Sequence, residues 1–276
     1  MPPGRPRTAA TRRGRTDPGD DRANSGWRLR VSVLHAGFRD RAVHLRDADA
    51  LVLADLHVGR AEASNVEYPL GEADDLEERL RGLLARFEPD EAVFAGDVLH
   101  RFGRVSVAAE RSLAALVDAC RDAGAAPVAV RGNHDAALAE VWPGPVRDGH
   151  ELDCRVRGEP AVVRHGHEAP PPEENAGLYV VGHDHPTVSV EGRRRDCWLY
   201  AERAYRGADV LMVPAFSRLA AGVEVNGMRA RDFQSPLVTD ADALRPILAP
   251  AGDGDAADAD GDPLEFPPLG EFRRML

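Results

Sequence analysis

The chain has 276 residues and a formal net charge of −11, and it contains no lysine, so all 35 basic residues are arginine. This length suits one large α/β domain with appendages, and no apolar run approaches the roughly 18 residues that a membrane-spanning helix needs. The Arg-rich start lacks the apolar segment of a secretory signal, and the 3 cysteines show no paired spacing. We therefore expect a cytoplasmic protein that does not enter a membrane.

The acidic excess and the absence of lysine have two interpretations, which the sequence leaves open. One is adaptation to high salt, where acidic surfaces preserve solubility, and the other is codon bias combined with an acidic tail. An acidic protein repels nucleic acid in dilute buffer, but at molar salt the Debye length falls to about 3 Å and this repulsion nearly vanishes. The net charge therefore does not exclude a polyanionic substrate.

We divide the chain into three zones. Residues 1–26 are rich in Arg, Gly, Pro and Thr with almost no large apolar side chain, and we predict that they are disordered. Residues 27–239 have the pattern of a globular domain, which carries every motif that points to a function. Residues 240–276 form a predicted acidic linker and C-terminal tail, because the stretch 249–263 is almost entirely Ala, Asp, Gly and Pro.

The first elements predicted in the globular zone are the strands Val31–Leu34 and Ala42–Leu45, which form a hairpin. Two helices, Leu76–Phe87 and Val107–Ala123, then alternate with apolar runs that are typical of buried strands. This alternation is the signature of right-handed crossovers and a largely parallel sheet. Beyond Glu159 the strands become short and are broken by Gly and Pro, which predicts a second sheet of mixed direction.

Five polar clusters follow such apolar runs, three of them directly and two after one intervening arginine. The runs predict strands of a sheet that is covered on both faces, so side chains at the ends of neighbouring strands can converge on one point. Oxygen and imidazole ligands that converge in this way suit divalent metals such as Mn, Zn, Fe or Ni. The clusters are Asp55-Leu56-His57, Gly96-Asp97, Gly132-Asn133-His134-Asp135, His165-Gly166-His167 and Gly182-His183-Asp184-His185.

Each cluster alone has an ordinary structural explanation. An isolated Asp-x-His or Gly-Asp is more often a turn or a cap than a ligand pair, and a lone buried histidine is usually satisfied by hydrogen bonds. All five clusters nevertheless occur in order within one domain, and they hold six of the 10 histidines of the chain. We therefore predict a metal site at the ends of the strands.

The order of the motifs, DxH, GD, GNHD, HGH and GHDH, resembles that of the calcineurin-like metallophosphoesterase superfamily. The resemblance covers residues 51–213 and implies an α/β fold, a four-layer α-β-β-α sandwich of two mixed sheets flanked by helices, with two metals held between the sheets. A narrower likeness is to the SbcD-related archaeal and the DNA-ligase-associated phosphoesterases. It rests on the shorter stretches Leu53–Gly59, Gly96–His100 and Val213–Phe216.

The metal ligands that the resemblance implies fall into two sets that share one bridging carboxylate. The sets are Asp55, His57 and His185 for one ion, Asn133, His165 and His183 for the other, and Asp97 for both. His167 is the alternative to His165 as the ligand from the HGH motif. His134 would be a catalytic histidine that binds no metal, with Asp135 as the residue that orients it.

The expected cofactors are two divalent ions, with manganese as the favoured metal and zinc, iron or nickel as alternatives. Substrate contacts are expected from the rim of the site, where arginine suits bidentate binding of phosphate. The candidate substrate-binding residues are Arg60, Asn65, Arg101 and Arg218.

From this site we expect hydrolysis of phosphodiester bonds by metal-bound hydroxide, in a nuclease or a nucleotide phosphodiesterase. Two ions about 3.5–4 Å apart can clamp an in-line displacement, and His134 can protonate the leaving group.

The alternatives are a small-molecule phosphomonoesterase on the same site and a non-catalytic protein-binding scaffold. The expected partner is a phosphate ester, nucleic acid or nucleotide. A nuclease of this size would need a homodimer or another partner to grip a duplex.

Overall fold

A computed structural model of the chain describes residues 34–63, 71–100, 103–249 and 262–275. The predicted disordered segment 1–26 lies outside this part of the chain, as do the candidate substrate-binding residues Asn65 and Arg101. Within the described ranges the chain forms two large β-sheets, one small one and α-helices that pack against them.

Six strands form the first sheet, in the order in which they occur along the chain. They are β1 Ala36–Arg39, β2 Ala42–Leu45, β3 Ala50–Leu53, β4 Glu91–Ala95, β5 Ala126–Val130 and β6 Val146–Arg147. The strands from β3 to β6 are parallel neighbours, whereas β1, β2 and β3 pair antiparallel. Every residue of β2 and β3 is buried, as expected for strands that are covered on both faces.

Two long helices cover one face of the first sheet. The helices of the described residues are α1 Arg60–Ala63, α2 Glu72–Phe87, α3 Val107–Asp122, α4 Leu138–Val141 and α5 Leu269–Phe272. Buried leucines of α2, such as Leu76, Leu80 and Leu83, recur every three to four residues and therefore lie on one face. α3 begins after Ser106, whose hydroxyl accepts a hydrogen bond from the backbone N–H of Ala109 at 3.0 Å. The structure confirms both predicted helices.

The second sheet has seven strands of mixed direction, in the order β16-β15-β12-β13-β9-β8-β7. These strands are β7 His150–Val156, β8 Glu159–Val163, β9 Leu178–Val181, β12 Trp198–Tyr205, β13 Ala208–Met212, β15 Arg245–Leu248 and β16 Leu264–Glu265. Strand β9 pairs parallel with both β8 and β13, so three neighbouring strands end at the same edge. A small third sheet consists of β10 Pro186–Val190, β11 Arg193–Asp196 and β14 Val223–Glu224.

The two large sheets pack face to face, and alternate residues of each strand face opposite layers. Val52 and Val93 of the first sheet share an apolar cluster with Val180 and Leu211 of the second. Residues one position along, such as Leu53, pack against α2 and α3. The outer face of the second sheet packs against α5 and the segment around residue 244. The predicted α/β fold of two mixed sheets flanked by helices is confirmed, with a thin outermost layer on the second sheet.

Two predicted boundaries differ from the structure. The hairpin strand that pairs with β2 is Ala36–Arg39, whereas the predicted strand Val31–Leu34 lies outside the described residues except for Leu34. The folded body also extends beyond residue 239, since β15 pairs with β12 and buries Ile247 and Leu248. Acidic neighbours on both sides of β15 hide this short apolar run in the composition of the segment. The predicted acidic linker and tail of residues 240–276 therefore begins inside the second sheet.

In the described part of the chain, every helix falls short of the length and apolar character that crossing a membrane requires. The 3 cysteines of the sequence are all within the described residues and none forms a disulfide. Cys120 and Cys197 are buried, and burial raises the pKa of the Cys120 thiol to about 12, so it stays protonated at neutral pH.

Candidate metal centre

The predicted ligands lie where parallel strands of both sheets end. Asp55 follows β3, Asp97 follows β4 and Asn133 follows β5, while His165 follows β8 and His183 follows β9. The carboxyl ends of strands in open α/β sheets are where ligands bind, because the chain leaves the sheet there in different directions. Since the two sheets face each other, these five side chains meet in the space between their edges.

One group of side chains comes from β3 and β9. Asp55, His57 and His185 can each place a ligand atom within 4.8 Å of the others. His185 Nε2 lies 3.2 Å from Asp55 Oδ1 and 3.4 Å from His57 Nε2. The backbone N–H of His183 donates to the other carboxylate oxygen of Asp55 at 2.9 Å, which fixes the orientation of that carboxylate.

A second group forms around Asp97. Asp97, His165 and His183 also lie within 4.8 Å of one another through their ligand atoms. His165 Nε2 lies 3.4 Å from Asp97 Oδ1 and 3.1 Å from Asn133 Oδ1. All seven predicted ligands therefore have a place in one of two adjacent groups. Asp97 stands between these groups, because it also joins His57 and His134 in a third set.

The geometry favours His165 over His167 as the ligand of the HGH motif. His165 is buried, and its Nδ1 lies 3.0 Å from the carbonyl oxygen of Ala95, so an N–H there donates to that oxygen. Its Nε2 is then left to face Asn133 and Asp97, as in metal sites where a backbone carbonyl orients the ligating ring. His167 Nε2 instead lies 3.7 Å from Glu168, and His167 belongs to none of the three sets of potential ligands among the described residues.

The backbone at the predicted ligands is strained. Five of the seven have positive φ angles, namely Asp55 at 57°, His57 at 48°, Asp97 at 47°, His183 at 75° and His185 at 47°. Residues other than glycine rarely adopt this left-handed region, and such conformations persist where surrounding structure enforces them, typically at functional sites. Here they occur just after β3, β4 and β9, where the candidate ligands converge.

Small residues let the two sheets come close enough to share a site. A Cβ on Gly182 would lie 2.5 Å from Ala54 Cβ and 2.6 Å from Asp55 Oδ2. Real Cβ atoms do not approach other atoms this closely, so a side chain at position 182 would push β9 away from β3. The glycine of the last motif is therefore required by the packing of the two ligand groups.

The residues present fit divalent cations. Asp55 Oδ1 is fully buried, lies among imidazole rings and has no hydrogen-bond partner. Leaving a buried acceptor unsatisfied costs about 1–3 kcal/mol, and a cation at this point would remove that cost. Two carboxylates, one amide oxygen and four imidazoles form a donor set that suits Mn, Zn, Fe or Ni.

The protonation states also suit metal binding. Burial lowers the pKa of His57 to about 4, and burial followed by the charge of His165 lowers that of His183 to about 4. Both rings are therefore neutral at pH 7 and keep a lone pair for a metal. Burial opposes ionisation of Asp55 and Asp97, but the neighbouring imidazoles outweigh it and lower the pKa of both carboxyl groups.

His165 differs from the other rings of the site. Burial lowers its pKa, but its hydrogen bond to Asp97 and the charges of Asp55 and Asp97 raise the pKa to about 9. This ring is therefore protonated at pH 7 in the metal-free chain, and a metal that binds it must displace a proton.

His134 lies beside the Asp97 carboxylate at the open side of the site. Its backbone N–H donates to Asp97 Oδ1 at 2.8 Å, and its ring Nδ1 lies 3.2 Å from the carbonyl oxygen of His100. Its Nε2 is 3.8 Å from Asp97 Oδ2. The rings of His100 and His134 are nearly parallel, at 8° and 6.2 Å between centroids. His100 thus lies next to the site. No role was expected for it from the sequence, although it is the last residue of the stretch Gly96–His100 that carries Asp97.

Asp135, which the sequence predicts to orient His134, uses its side chain to bind backbone groups of two loops. Its buried carboxylate accepts hydrogen bonds from the backbone N–H groups of Gly132 at 2.8 Å, Leu99 at 2.9 Å and Val98 at 3.3 Å. These bonds tie the loop after β5 to the loop after β4. Asp135 therefore holds together the two loops that carry Asp97 and His134.

Two of the predicted substrate-binding residues, Arg60 and Arg218, lie within the described residues, and both contact acidic side chains of α2. The backbone N–H of Arg60 donates to Glu72 at 3.1 Å. The guanidinium of Arg218 donates to Asp75 at 2.8 Å and is about half exposed. Their binding of substrate stays a prediction.

Gly132 provides a direct test of how tightly the loops after β4 and β5 must pack. A Cβ at this position would lie 2.1 Å from Asp97 N and 2.2 Å from Asp97 Oδ1. We expect Gly132→Ala to lower the free energy of unfolding by roughly 1–3 kcal/mol, as measured by urea denaturation. The matched control is Gly82→Ala on the exposed face of α2, where a Cβ meets nothing within 4 Å. That change should raise stability by about 0.5–1 kcal/mol, and equal effects of both changes would contradict the tight approach.

Comparisons with a family model and with solved structures show what this chain is similar to. Residues 49–185 match the family model described as calcineurin-like phosphoesterase. The crystal structure of the nuclease MPE from Pseudomonas putida aligns over 76% of this chain and 88% of its own, with a TM-score of 0.51 and 24% identity. Yfce, a phosphoesterase from E. coli, aligns over 66% of this chain and 84% of its own, with a TM-score of 0.38 and 19% identity. No curated protein matches the chain in sequence.

The family match confirms the resemblance to the superfamily, while the narrower likeness stays a prediction. The matched segment contains all five motifs in full and ends on the last histidine of the fifth. The likeness to the Pseudomonas putida structure shows that the fold is shared. This chain therefore belongs to the calcineurin-like metallophosphoesterases and is a metal-dependent hydrolase of phosphate esters.

Proposed function

We propose that this chain hydrolyses phosphodiester bonds in nucleic acids or nucleotides with two divalent ions. The observation that carries the proposal is the position of Asp97, whose carboxylate belongs both to the group with His165 and His183 and to the set that contains His57. One carboxylate shared by two adjacent ligand groups is what a dinuclear centre requires, because its two oxygens can contact different ions.

Each ion would be held by ligands from both sheets. Asp55, His57 and His185 form the first group, and Asn133, His165 and His183 form the second, with Asp97 common to both. Two divalent ions in these positions would supply an activated water and neutralise the charge that develops on the phosphate oxygens. Manganese is the metal we propose, and zinc, iron and nickel remain compatible with the same donors.

His134 is the group that we propose as the general acid. The carbonyl of His100 accepts from its Nδ1, so the opposite ring nitrogen faces the site on the side of Asp97. A proton delivered from this ring to the leaving oxygen avoids release of an unstable alkoxide. The side chain is about one quarter exposed, which leaves it accessible to a bound ester.

Two features support a diester rather than a monoester as substrate. A cavity of about 110 Å³ adjoins His165 and His167 and is lined by Arg131 and Arg164, so there is room for a second group attached to the phosphate. The Pseudomonas putida protein with the shared fold is described as a nuclease. A diester bound at the ligand groups would extend one substituent past His134 and the other into this cavity.

The proposal is tested by a panel of esters assayed with Mn²⁺. A bis-aryl phosphate diester should be turned over faster than the aryl monoester. Comparison of single- and double-stranded DNA, RNA and cyclic nucleotides should then identify the class of the natural substrate. The panel is repeated at molar salt, because phosphate contacts with nucleic acid weaken as salt rises. Turnover of the monoester alone would contradict the diesterase proposal. Absence of all turnover with every divalent metal would favour a non-catalytic scaffold.

A further inference from the structure

The loop after β13 supports the backbone of the ligand Asp55. This loop, residues 213–218, runs along the end of β3 and pairs with it through a bridge between Ala54 and Ala215. The N–H of Phe216 donates to the carbonyl of Ala54 at 2.8 Å, and the N–H of Ser217 donates to that of Asp55 at 3.2 Å. The backbone conformation of Asp55, at a φ of 57°, is therefore held by this loop on its carbonyl side.

Two arginines in turn hold the carbonyl groups of the same loop. Arg79 of α2 donates from Nη1 to the carbonyl of Phe216 at 2.7 Å, and its guanidinium carbon lies 4.0 Å from the centroid of the Phe216 ring. Arg41, in the turn between β1 and β2, donates to the carbonyls of Ser217 at 2.9 Å and Ala215 at 3.4 Å. Three successive peptide units are thus fixed by what we call the arginine pair, Arg41 and Arg79.

The arginine pair is itself held by carboxylates. Arg79 donates to Asp40 at 2.8 Å and to Asp75 at 3.2 Å, and Arg41 pairs with Asp196 at 2.7 Å. The Arg79 side chain is only 6% exposed, so its charge is removed from water and must be compensated by these partners. A planar guanidinium can satisfy several acceptors at once in a fixed geometry, whereas an ammonium group cannot.

None of these charged groups reaches a predicted metal ligand directly. The chain of contacts runs from α2 and the β1–β2 turn to the 213–218 loop, and from that loop to the backbone of Asp55. Hydrogen bonds that orient the groups behind a metal ligand typically change metal affinity by about 10–100-fold when they are lost. The arginine pair is thus placed to control the position of one ligand without touching the metal.

We propose that Arg41 and Arg79 are positioning residues for the first metal site: they fix the 213–218 loop, and the loop holds Asp55 in the conformation that presents its carboxylate to the ion. This inference rests on the proposed function, in which Asp55 is a metal ligand. It assigns to the pair an effect on metal affinity at one of the two sites, rather than a general effect on stability.

The test is calorimetric titration of the full chain with Mn²⁺ for the unaltered protein, Arg79→Lys and Arg41→Lys. In each case lysine keeps the positive charge and most of the aliphatic part of the side chain. The matched control is Arg157→Lys, because Arg157 also pairs with a fully buried aspartate, Asp209, and donates to a backbone carbonyl, that of Gly177. Asp209 lies at the opposite end of β13 from the 213–218 loop. Urea denaturation of the metal-free proteins reports how much each change costs in stability.

We expect both changes in the arginine pair to weaken one of two Mn²⁺ sites by about 10–100-fold and to leave the other site and the Arg157→Lys protein unchanged. Raising Mn²⁺ should then restore kcat in Arg79→Lys, since a positioning role affects occupancy rather than the chemical step. Unchanged affinity in both variants, or equal weakening in Arg157→Lys, would overturn the inference. Failure of the unaltered chain to bind two ions would instead contradict the proposed dinuclear function.

Discussion

Replacing Asp97 by asparagine is expected to lower kcat for a phosphodiester by on the order of 10³-fold, about 4 kcal/mol of lost transition-state stabilisation. The amide keeps the size of the side chain and can still accept from the backbone N–H of His134, which lies 2.8 Å from Asp97 Oδ1. It loses the negative charge that both ligand groups share. We therefore expect Mn²⁺ binding to weaken at both sites in calorimetry, while the chain remains folded.

The control for this change is Asp209→Asn, which makes the same replacement at another buried aspartate. Asp209 accepts from the hydroxyl of Tyr200 at 2.8 Å and from the N–H of Arg203 at 2.8 Å, at the end of β13 opposite the 213–218 loop. It should reduce stability but leave kcat per folded molecule unchanged. Full Mn²⁺-dependent activity of the Asp97→Asn protein would contradict the bridging role.

Replacing His134 by alanine is expected to lower kcat by about 10²–10⁴-fold, the usual contribution of a general acid, without changing the affinity for Mn²⁺. The loss should be greater for an ester with an alkyl leaving group than for one that releases a nitrophenolate. A nitrophenolate leaves readily without a proton, whereas an alkoxide does not. Steady-state rates on both esters, combined with calorimetric titration, measure the two effects.

This experiment also separates the two roles that the geometry permits for His134. The ring can place a nitrogen within 4.8 Å of ligand atoms of His57 and Asp97, so it could act as a ligand. Equal losses on both esters, together with weaker Mn²⁺ binding, would show that it binds metal and would contradict the general-acid assignment. His150→Ala serves as the control, because that histidine pairs with Glu91 at 2.8 Å outside the ligand groups.

The convergence of the candidate ligands could be predicted from the sequence because each motif follows a strand. Asp55, Asp97 and Asn133 come two or three residues after the apolar runs that form β3, β4 and β5. The parallel pairing of these strands brings their ends together. His183 and His185 reach the same place because β9 lies parallel to β8 in the facing sheet. The order of the strands and the contact between the two sheets depend on pairing between distant parts of the chain. The local sequence does not show this pairing, so these features were expected from the family resemblance.

Other features of the site could not be predicted from local pattern. His165 and His167 are separated by one glycine, and they are distinguished by contacts with residues far away in sequence, such as the carbonyl of Ala95, 70 positions earlier. Asp135 resembles a partner for the neighbouring His134, but its carboxylate is occupied by three backbone N–H groups.

The arginine pair shows the same limit in a different way. In a chain whose 35 basic residues are all arginine, nothing in the local sequence sets Arg41 or Arg79 apart. Their importance depends on a loop that lies 137 positions after Arg79. Local composition carries no information about a contact of that kind.

The division of the ligands between the two sheets has a consequence for the chain as a whole. His57 and His185 stand 128 positions apart in sequence, and in the proposed centre one ion would bind both. Such an ion acts as a cross-link that closes a very long loop, and cross-links of this kind disfavour the unfolded chain more as the loop grows. Catalysis and the cohesion of the sandwich would then depend on the same ions, so a cell that withdraws the metal would lose both together.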